Sequence, residues 1–467
     1  MAAVLGFATI EELRQSVHGA VIAPSDAGYD EARAVWNGMI DRRPVLVVRC
    51  ADPADVVAAV QFARSQGLEI AVRGGGHSLP GFSTVDGGLV IDLSPMRAVA
   101  VDVPGRRAVV GGGATWADVD QATQAAGLAV TGGLVSTTGV GGFTLGGGVG
   151  WLMRRYGLAS DNLVGAEVVN ADGSIVRASE SENADLLWGL RGGGGNFGVV
   201  TSSEFRLFPV GPTILGGPIF YPGAQTADVL RAWRTATTAM PDDLTTLVSL
   251  GSAPPIPPIP EAWHGQPVAT VIGAFAGEIA DGHAPVAPLR TLGDPVADLL
   301  GEMPYLILQS LVDPGWGPGA RNYFTSSFLA DLPDAAIDIL AAAHGSRPSP
   351  FNEIHIHQMG GAAARVGADA SAFGNREAPF LLNIVTRWLD PAEDEQELAW
   401  ARGLRDAMAP FATGGTYVNF LGIGDARVRD AYDAQRYARL VELKRRWDPT
   451  NAFHLNQNID PNGGVGG

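Results

Sequence analysis

Two short segments of this chain hold side chains whose types and spacing could do chemistry. The first is Arg73-Gly74-Gly75-Gly76-His77-Ser78, which sets a histidine directly behind a run of glycine. Glycine gives up more conformational entropy on folding than any other residue, so the run implies a backbone that bends sharply or lies against something flat. A histidine held there presents a nucleophilic imidazole, and a large bound cofactor is the partner that suits it. A loop histidine on a simple glycine turn fits the hexapeptide equally well. The second segment is Glu353-Ile354-His355-Ile356-His357-Gln358. On a strand, alternation places Glu353, His355 and His357 on one face and both isoleucines on the other. His355 is the acid–base candidate, since histidine as a residue type changes charge near neutrality. A solvent-facing strand is the alternative, and a His-x-His metal site with the carboxylate is a third. With no further ligand types nearby, no metal is expected.

These residues need elements to position them. Pro44 to Val48 reads as a strand, and Asp52-Pro53 opens a helix with an N-cap and a proline at the first helical position. That helix runs to about Gln66, stops at Gly67 and yields to the strand Leu68 to Val72, which delivers His77. A second unit repeats the order: strand Ala108 to Val110, turn Gly111 to Gly113, a helix opened by Thr115 and Asp118 as a capping box, Gly127, and strand Leu128 to Thr131. Two βαβ-like units, each ending in a glycine-rich loop, predict one α+β cofactor domain. A hairpin follows over Val164 to Ala178, with Asp172-Gly173 as a type I′ turn. A helix spans Asp185 to Arg191, a strand Val199 to Leu207, and Pro209 to Pro212 marks a boundary. Strands then alternate with helices such as Gln225–Met240 and Asp334–His344. The proline-rich Ala253 to Pro260 reads as a surface loop rimming a site. The tail holds a helix over Asp430 to Arg446 and a stop at Asp448-Pro449-Thr450-Asn451.

Composition bounds the function. The 467 residues carry 32 basic and 49 acidic side chains, a net charge of −17, which repels phosphate backbones and anionic membranes. No nucleic-acid or membrane partner is expected. Cys50 is the sole cysteine, so the chain cannot close a disulfide on itself or build a thiolate zinc site. Lys444 is the sole lysine, which excludes a Walker A loop and leaves one candidate for Schiff-base chemistry. No apolar run reaches membrane-spanning length. Glu11 and Glu12 follow a short apolar start with no basic segment, so no signal peptide is expected and a cytoplasmic location is.

Glycine clusters supply the next clue. Gly193, Gly195 and Gly198 have the G-x-G-x-x-G spacing but follow a helix and lead into a strand, the reverse of a nicotinamide site. A second cluster runs from Thr131 through Gly132, Gly133, Ser136, Thr138, Gly139, Gly141, Gly142 and Gly146 to Gly148. Bare amides and small hydroxyls at that density suit pyrophosphate and ring-edge contacts, although purely structural turns share the composition.

Taken in order, these segments resemble the FAD-linked oxidase family with the vanillyl-alcohol-oxidase (PCMH-type) fold, in its berberine-bridge-enzyme branch. The resemblance rests on Val72 to Ser78, Gly139 to Trp151, Tyr156 to Asn162, Trp188 to Val200, Tyr417 to Phe420 and Asp448 to Asn458. It covers the chain from about residue 22 to 460. It implies an α+β fold: a split FAD-binding domain, 1–212 with 411–467 returning to it, and an α+β substrate domain, 213–410, with an antiparallel sheet flanked by helices. It implies FAD attached through His77 and held by Arg73 to Ser78, by Gly132 to Gly148 including Val135, Ser136, Thr138 and Phe143, by Gly198 and Val200, and by Asn456 and Asn458. Many members add a second tether through a cysteine, but Gly133-Leu134-Val135-Ser136-Thr137-Thr138-Gly139 has Val135 at that place, so a single histidyl link is expected.

The missing tether makes a sugar oxidase less expected than an oxidase of natural-product intermediates or N-heterocycles. The run Pro24 to Arg43 is similar to bacterial polyketide-oxidising members of the enterocin-pathway type. Some of these are thought to use a flavin N5-oxide, and Thr138 and Phe143 would then meet dioxygen. The family often shows Tyr-x-Asn-Tyr, here Tyr417-Val418-Asn419-Phe420, so Tyr417 is the family's candidate base beside Asn419 and His355, or else a packed strand tyrosine. Trp151, Tyr305, Tyr323 and Trp388 could flank a planar substrate or belong to the core, and Tyr432 and Tyr437 read as packing residues on the last helix. The resulting expectation is an oxidase passing electrons from a small organic substrate to dioxygen, as a monomer or homodimer. A flavin-binding scaffold without turnover is the reading from another class.

Overall fold

Asp52 caps the helix Pro53–Gln66, its side chain accepting from the Ala54 and Asp55 amides, and Gly67 ends the helix at φ 64°. This is the start that the sequence predicts. In the computed structural model, which describes residues 9–463, the flanking strands Leu46–Arg49 and Ile70–Arg73 run parallel without touching. Leu89–Asp92, buried along its whole length, lies between them and pairs with both. Its apolar run is only Leu89, Val90 and Ile91, too short to declare itself in sequence. Ala20–Ile22 completes this four-stranded sheet. The apolar start before Glu11 and Glu12 falls largely on residues 1–8, outside the described residues.

The second βαβ unit does not form. Arg107–Gly111 joins a five-stranded antiparallel sheet in the order Val99–Asp102, Arg107–Gly111, Val199–Arg206, Leu163–Val169, Ile175–Ser179. Leu128–Ala129 pairs instead with Phe208–Pro209. The buried Gln124 explains the diversion, since its Nε2 donates to the carbonyls of both Leu128 and Val210 and draws the two segments together. The hairpin turn also differs from expectation. The Gly173 amide donates to Asn170 O and only Gly173 takes positive φ, 86°, so the loop is a type I turn closed by a left-handed glycine.

Residues 213–388 build one antiparallel sheet of eight strands. Glu353–Gln358 is central in it, between Leu244–Ser252 and Phe380–Trp388. Helices Thr226–Thr237, Asp334–Gly345 and Asp394–Met408 cover one face, where Ile354 and Ile356 pack with Trp233, Leu340 and Leu404. The histidines therefore face the other way. The last helix, Ala434–Trp447, starts at the Asp433 cap rather than at Asp430, because Arg427–Ala431 forms a separate 3-10 turn. Its Tyr437, Leu440 and Val441 pack against Leu186, Trp188 and Phe197 of the first half. Buried Lys444 pairs with Asp448 at 2.7 Å and donates to the carbonyls of Asn196 and Phe453, so the sole lysine is structural. Among the described residues no helix is long and apolar enough to cross a membrane.

Candidate active site

His77 sits where two glycine loops cross. A Cβ on Gly75 would lie 2.3 Å from the Gly139 nitrogen, and one on Gly139 equally close to the Gly75 nitrogen, so the crossing admits only glycine at both positions. Below the loop Arg73 is buried, bonded to Asp92 of the neighbouring strand at 2.8 Å and to Ala34 O. Above it the Trp36 ring stacks on the imidazole, with centroids 5.0 Å apart and planes 16° apart. The His77 Nε2 lies 3.1 Å from Thr137 Oγ1. Burial lowers its pKa to about 4, so the ring is neutral and nucleophilic at ordinary pH.

The loops open onto a cavity of about 610 Å³ that reaches the uncovered face of the eight-stranded sheet. Gly74, Gly75, Gly76, His77 and Ser78 line one side, with Gly133, Val135, Thr138, Gly139, Gly142, Phe143, Gly146, Gly198, Val200 and Asn456. Positions where a Cβ would meet nothing within 4 Å, Gly142 and Gly195, front this space, and the buried Oδ1 of Asn456 has no partner. No lysine or arginine lines the cavity among the described residues, so a phosphate here is met by main-chain N–H groups. The structure thus fits a large cofactor whose polar edges are bound by backbone.

Across the cavity stand Glu353, His355, His357 and Asn383, with Trp316, Phe324 and Phe420. The solvent-facing alternative for this strand is overturned, because packing against its neighbours leaves His355 only 9% and His357 only 4% exposed. His355 Nε2 lies 2.6 Å from Glu353 Oε2, whose carboxylate also accepts from Ser249 Oγ at 2.8 Å. Burial pushes the Glu353 pKa up, but its bonds from His355 and Ser249 and the nearby Arg347 charge hold it below the usual carboxylate range. An ionised Glu353 accepts from Nε2–H and leaves His355 Nδ1 free to take a proton.

Tyr417 does not line the cavity. Its hydroxyl lies 2.9 Å from the Gly148 amide and 2.8 Å from Asn419 Nδ2, accepting from both. Burial raises its pKa to about 12. The phenol therefore keeps its proton at ordinary pH, and off the cavity wall it acts as a strut where the resemblance implies a base. Asn419 does reach the cavity, but its amide also donates to Phe143 O, clamping the short helix Val140–Leu145. That helix stands where a bare glycine loop is expected, since Val140, Thr144 and Leu145 bury a common face.

Other predicted contacts also lie behind the wall. Arg73 is tied to Asp92, Ser136 bonds Asp313 through its amide and its hydroxyl, and Gly132 packs on Trp116 and Gln309. Gly148 is closed in by Ala159 and Phe143, and Asn458 is half-buried with a buried, unpartnered Oδ1 outside the lining. Trp151, Tyr305, Tyr323 and Trp388 are core residues. Tyr432 lies ahead of the last helix rather than on it; it packs in the core with Tyr437, as its reading as a packing residue expects, and also borders the cavity. Sequence reasoning missed Thr137, Asn383 and the aromatic wall of Trp36, Trp316 and Phe324. Those residues come from separate parts of the chain, and no local pattern joins them.

Comparison with known proteins places this architecture. Residues 44–179 match the FAD binding domain family, and residues 416–460 the berberine and berberine-like family. The chain is 32% identical over 465 residues to (R)-6-hydroxynicotine oxidase of Paenarthrobacter nicotinovorans, covering 96% of this chain and 98% of that one. The crystal structure of 6-hydroxy-D-nicotine oxidase from Arthrobacter nicotinovorans superposes with a TM-score of 0.87 at 31% identity, over 96% of this chain and 98% of that chain. Glucooligosaccharide oxidase of Acremonium strictum, which carries a 6-S-cysteinyl, 8α-N1-histidyl FAD, gives 0.83 at 25% identity over 95% of this chain and 97% of that chain. The chain belongs to the FAD-linked oxidoreductases of the berberine-bridge-enzyme-like family. It is an FAD-binding enzyme acting on small organic molecules.

Proposed function

We propose that this enzyme is an oxidase whose FAD is tethered through His77 alone and whose electrons pass to dioxygen, releasing peroxide. The substrate is a small, largely apolar molecule oxidised at an alcohol or a C–H or C–N centre, of the kind found among natural-product intermediates. The single observation that carries this reading is His77 itself: a neutral imidazole, clamped between Trp36 and Thr137 on the cavity wall, with Nε2 engaged and Nδ1 left for the flavin. Val135 lines the cavity on the loop where the relatives' second tether is expected, and buried Cys50 packs with Val48 and Val56 in a separate core, so no thiol is at hand. The aromatic wall of Trp36, Trp316, Phe324 and Phe420 supports a ring-bearing substrate over a sugar chain, which needs more polar partners.

Amides of the crossing glycine loops would hold the polar edges of FAD, and His77 would hold it covalently. Bound FAD supplies two-electron oxidation chemistry. His355, oriented by Glu353, takes the substrate proton at Nδ1. Residues 1–212 with 411–467 act as the cofactor unit and 213–410 as the substrate unit, a division supported by the single eight-stranded sheet of residues 213–388 and by the Asn419 and Lys444 bonds into the first half. The test is acid precipitation of the yellow protein. Colour is expected to stay with the wild-type pellet and to leave it in His77→Ala; colour washing out of the wild type would remove the tether. Peroxide formed per substrate consumed then separates an oxidase from an enzyme that keeps the oxygen in its product.

A further inference from the structure

The sheet face opposite the glycine loops carries a row of directly paired residues, Thr270, Ser249, His355 and Asn383, with His357 one step along the same strand face. All five line the cavity. Two of them are already committed within the protein, because Ser249 and His355 both bond Glu353. Two are not. His357 and Asn383 are 4% and 2% exposed, and His357 Nε2 and Asn383 Oδ1 have no hydrogen-bond partner. A buried polar atom left without a partner is unfavourable, and where such an atom belongs to a residue lining an open cavity, a ligand in that cavity can complete it.

The surroundings define what that ligand offers. Burial lowers the His357 pKa to about 3, so its ring is neutral and cannot bind a carboxylate or phosphate by charge. A neutral imidazole and a primary amide each donate and accept. The Phe420 ring lies 6.0 Å from the His357 ring at 31°, and Leu247 is its cross-strand neighbour, so the pair is set in an apolar frame that takes a flat ring.

Resting on the reading of this cavity as the substrate site, we propose that His357 and Asn383 form a recognition pair for a neutral aromatic hydroxyl, and that the substrate class is a hydroxylated planar ring. Neither residue moves the substrate's proton. They select and orient the ring beside His355.

The experiment titrates oxidised holoenzyme with phenol and with anisole, rings of similar size that differ in the hydroxyl hydrogen, and follows the flavin absorption. Quenching of intrinsic tryptophan fluorescence, to which Trp36 and Trp316 at the cavity contribute, reads the same titration in protein lacking flavin, so a failure of the flavin assignment does not obscure the result. Wild type is expected to bind phenol about tenfold more tightly than anisole, the effect of one to two hydrogen bonds. His357→Phe and Asn383→Leu should each bring the two affinities within about twofold, while acid-stable colour and reoxidation by air after dithionite persist. His357→Gln, which keeps a donor and an acceptor, should retain part of the preference and covers the case in which the apolar variants misfold. Equal affinities in wild type, or an unchanged preference in both apolar variants, would overturn the pair while leaving the oxidase reading intact.

Discussion

At the scale of the residue, the site turns on which groups are spent and which are free. His355 is the titratable group that faces the cavity with a carboxylate behind it, whereas Tyr417 is spent on the Gly148 amide and on Asn419. These arrangements predict opposite phenotypes. With a substrate found by peroxide detection, His355→Ala should slow anaerobic flavin reduction about a hundredfold, the typical worth of a positioned base, with flavin content unchanged. A loss below threefold would place proton transfer elsewhere. Tyr417→Phe removes an acceptor from two buried donors and should lower stability by about 1–3 kcal/mol in urea unfolding, while the pH profile of flavin reduction keeps its shape. A profile that loses its rise with pH in that variant would return Tyr417 to the chemistry as a base.

At the scale of the element, the glycine-rich segments divide into those that let chains cross and those that face the cofactor's space. Gly75 and Gly139 are of the first kind, with backbone 2.3 Å from any added Cβ, and Gly142 is of the second. Gly75→Ala should therefore yield little folded protein at all. Gly142→Ala should fold with an unchanged or slightly raised melting temperature in the flavin-free state, since alanine favours the helix Val140–Leu145, yet incorporate flavin poorly. Wild-type flavin content in Gly142→Ala would show that this amide does not face the cofactor. The sequence announces both kinds of glycine but cannot sort them, because the sorting depends on which loop lies against which. The same limit explains the elements misread. Asp52, Pro53 and Gly67 specify their helix by local capping chemistry and are legible, whereas the placing of Leu128–Ala129 depends on a long-range bond from Gln124 to Val210. His355 and His357 are legible as one face of a strand. That the face looks inward is decided by the three helices that cover Ile354 and Ile356.

At the scale of the whole molecule, neutral histidines buried in the native state couple folding to pH. His344 is 2% exposed and bridges the helix Asp334–Gly345 to Thr226 Oγ1 at 2.8 Å and to Gly251 O at 3.0 Å, so it ties two covering helices to the strand that floors the cavity. Burial lowers its pKa to about 4. The unfolded chain takes up the proton near pH 6.5 and the folded chain does not until about pH 4, so stability is fully present above 6.5 and falls as pH drops through that window. Those limits put the loss at pH 4 on the order of 3 kcal/mol for this residue. Urea unfolding at pH 7 and pH 4.5 should therefore show a marked fall in wild type. His344→Gln can still bond Thr226 and Gly251 but carries no titrating ring, and it should show a visibly flatter pH dependence even if its stability at pH 7 is lower. Parallel slopes in the two proteins would mean that the acid sensitivity arises from the carboxylates, and that the His344 bridge opens to water before it titrates.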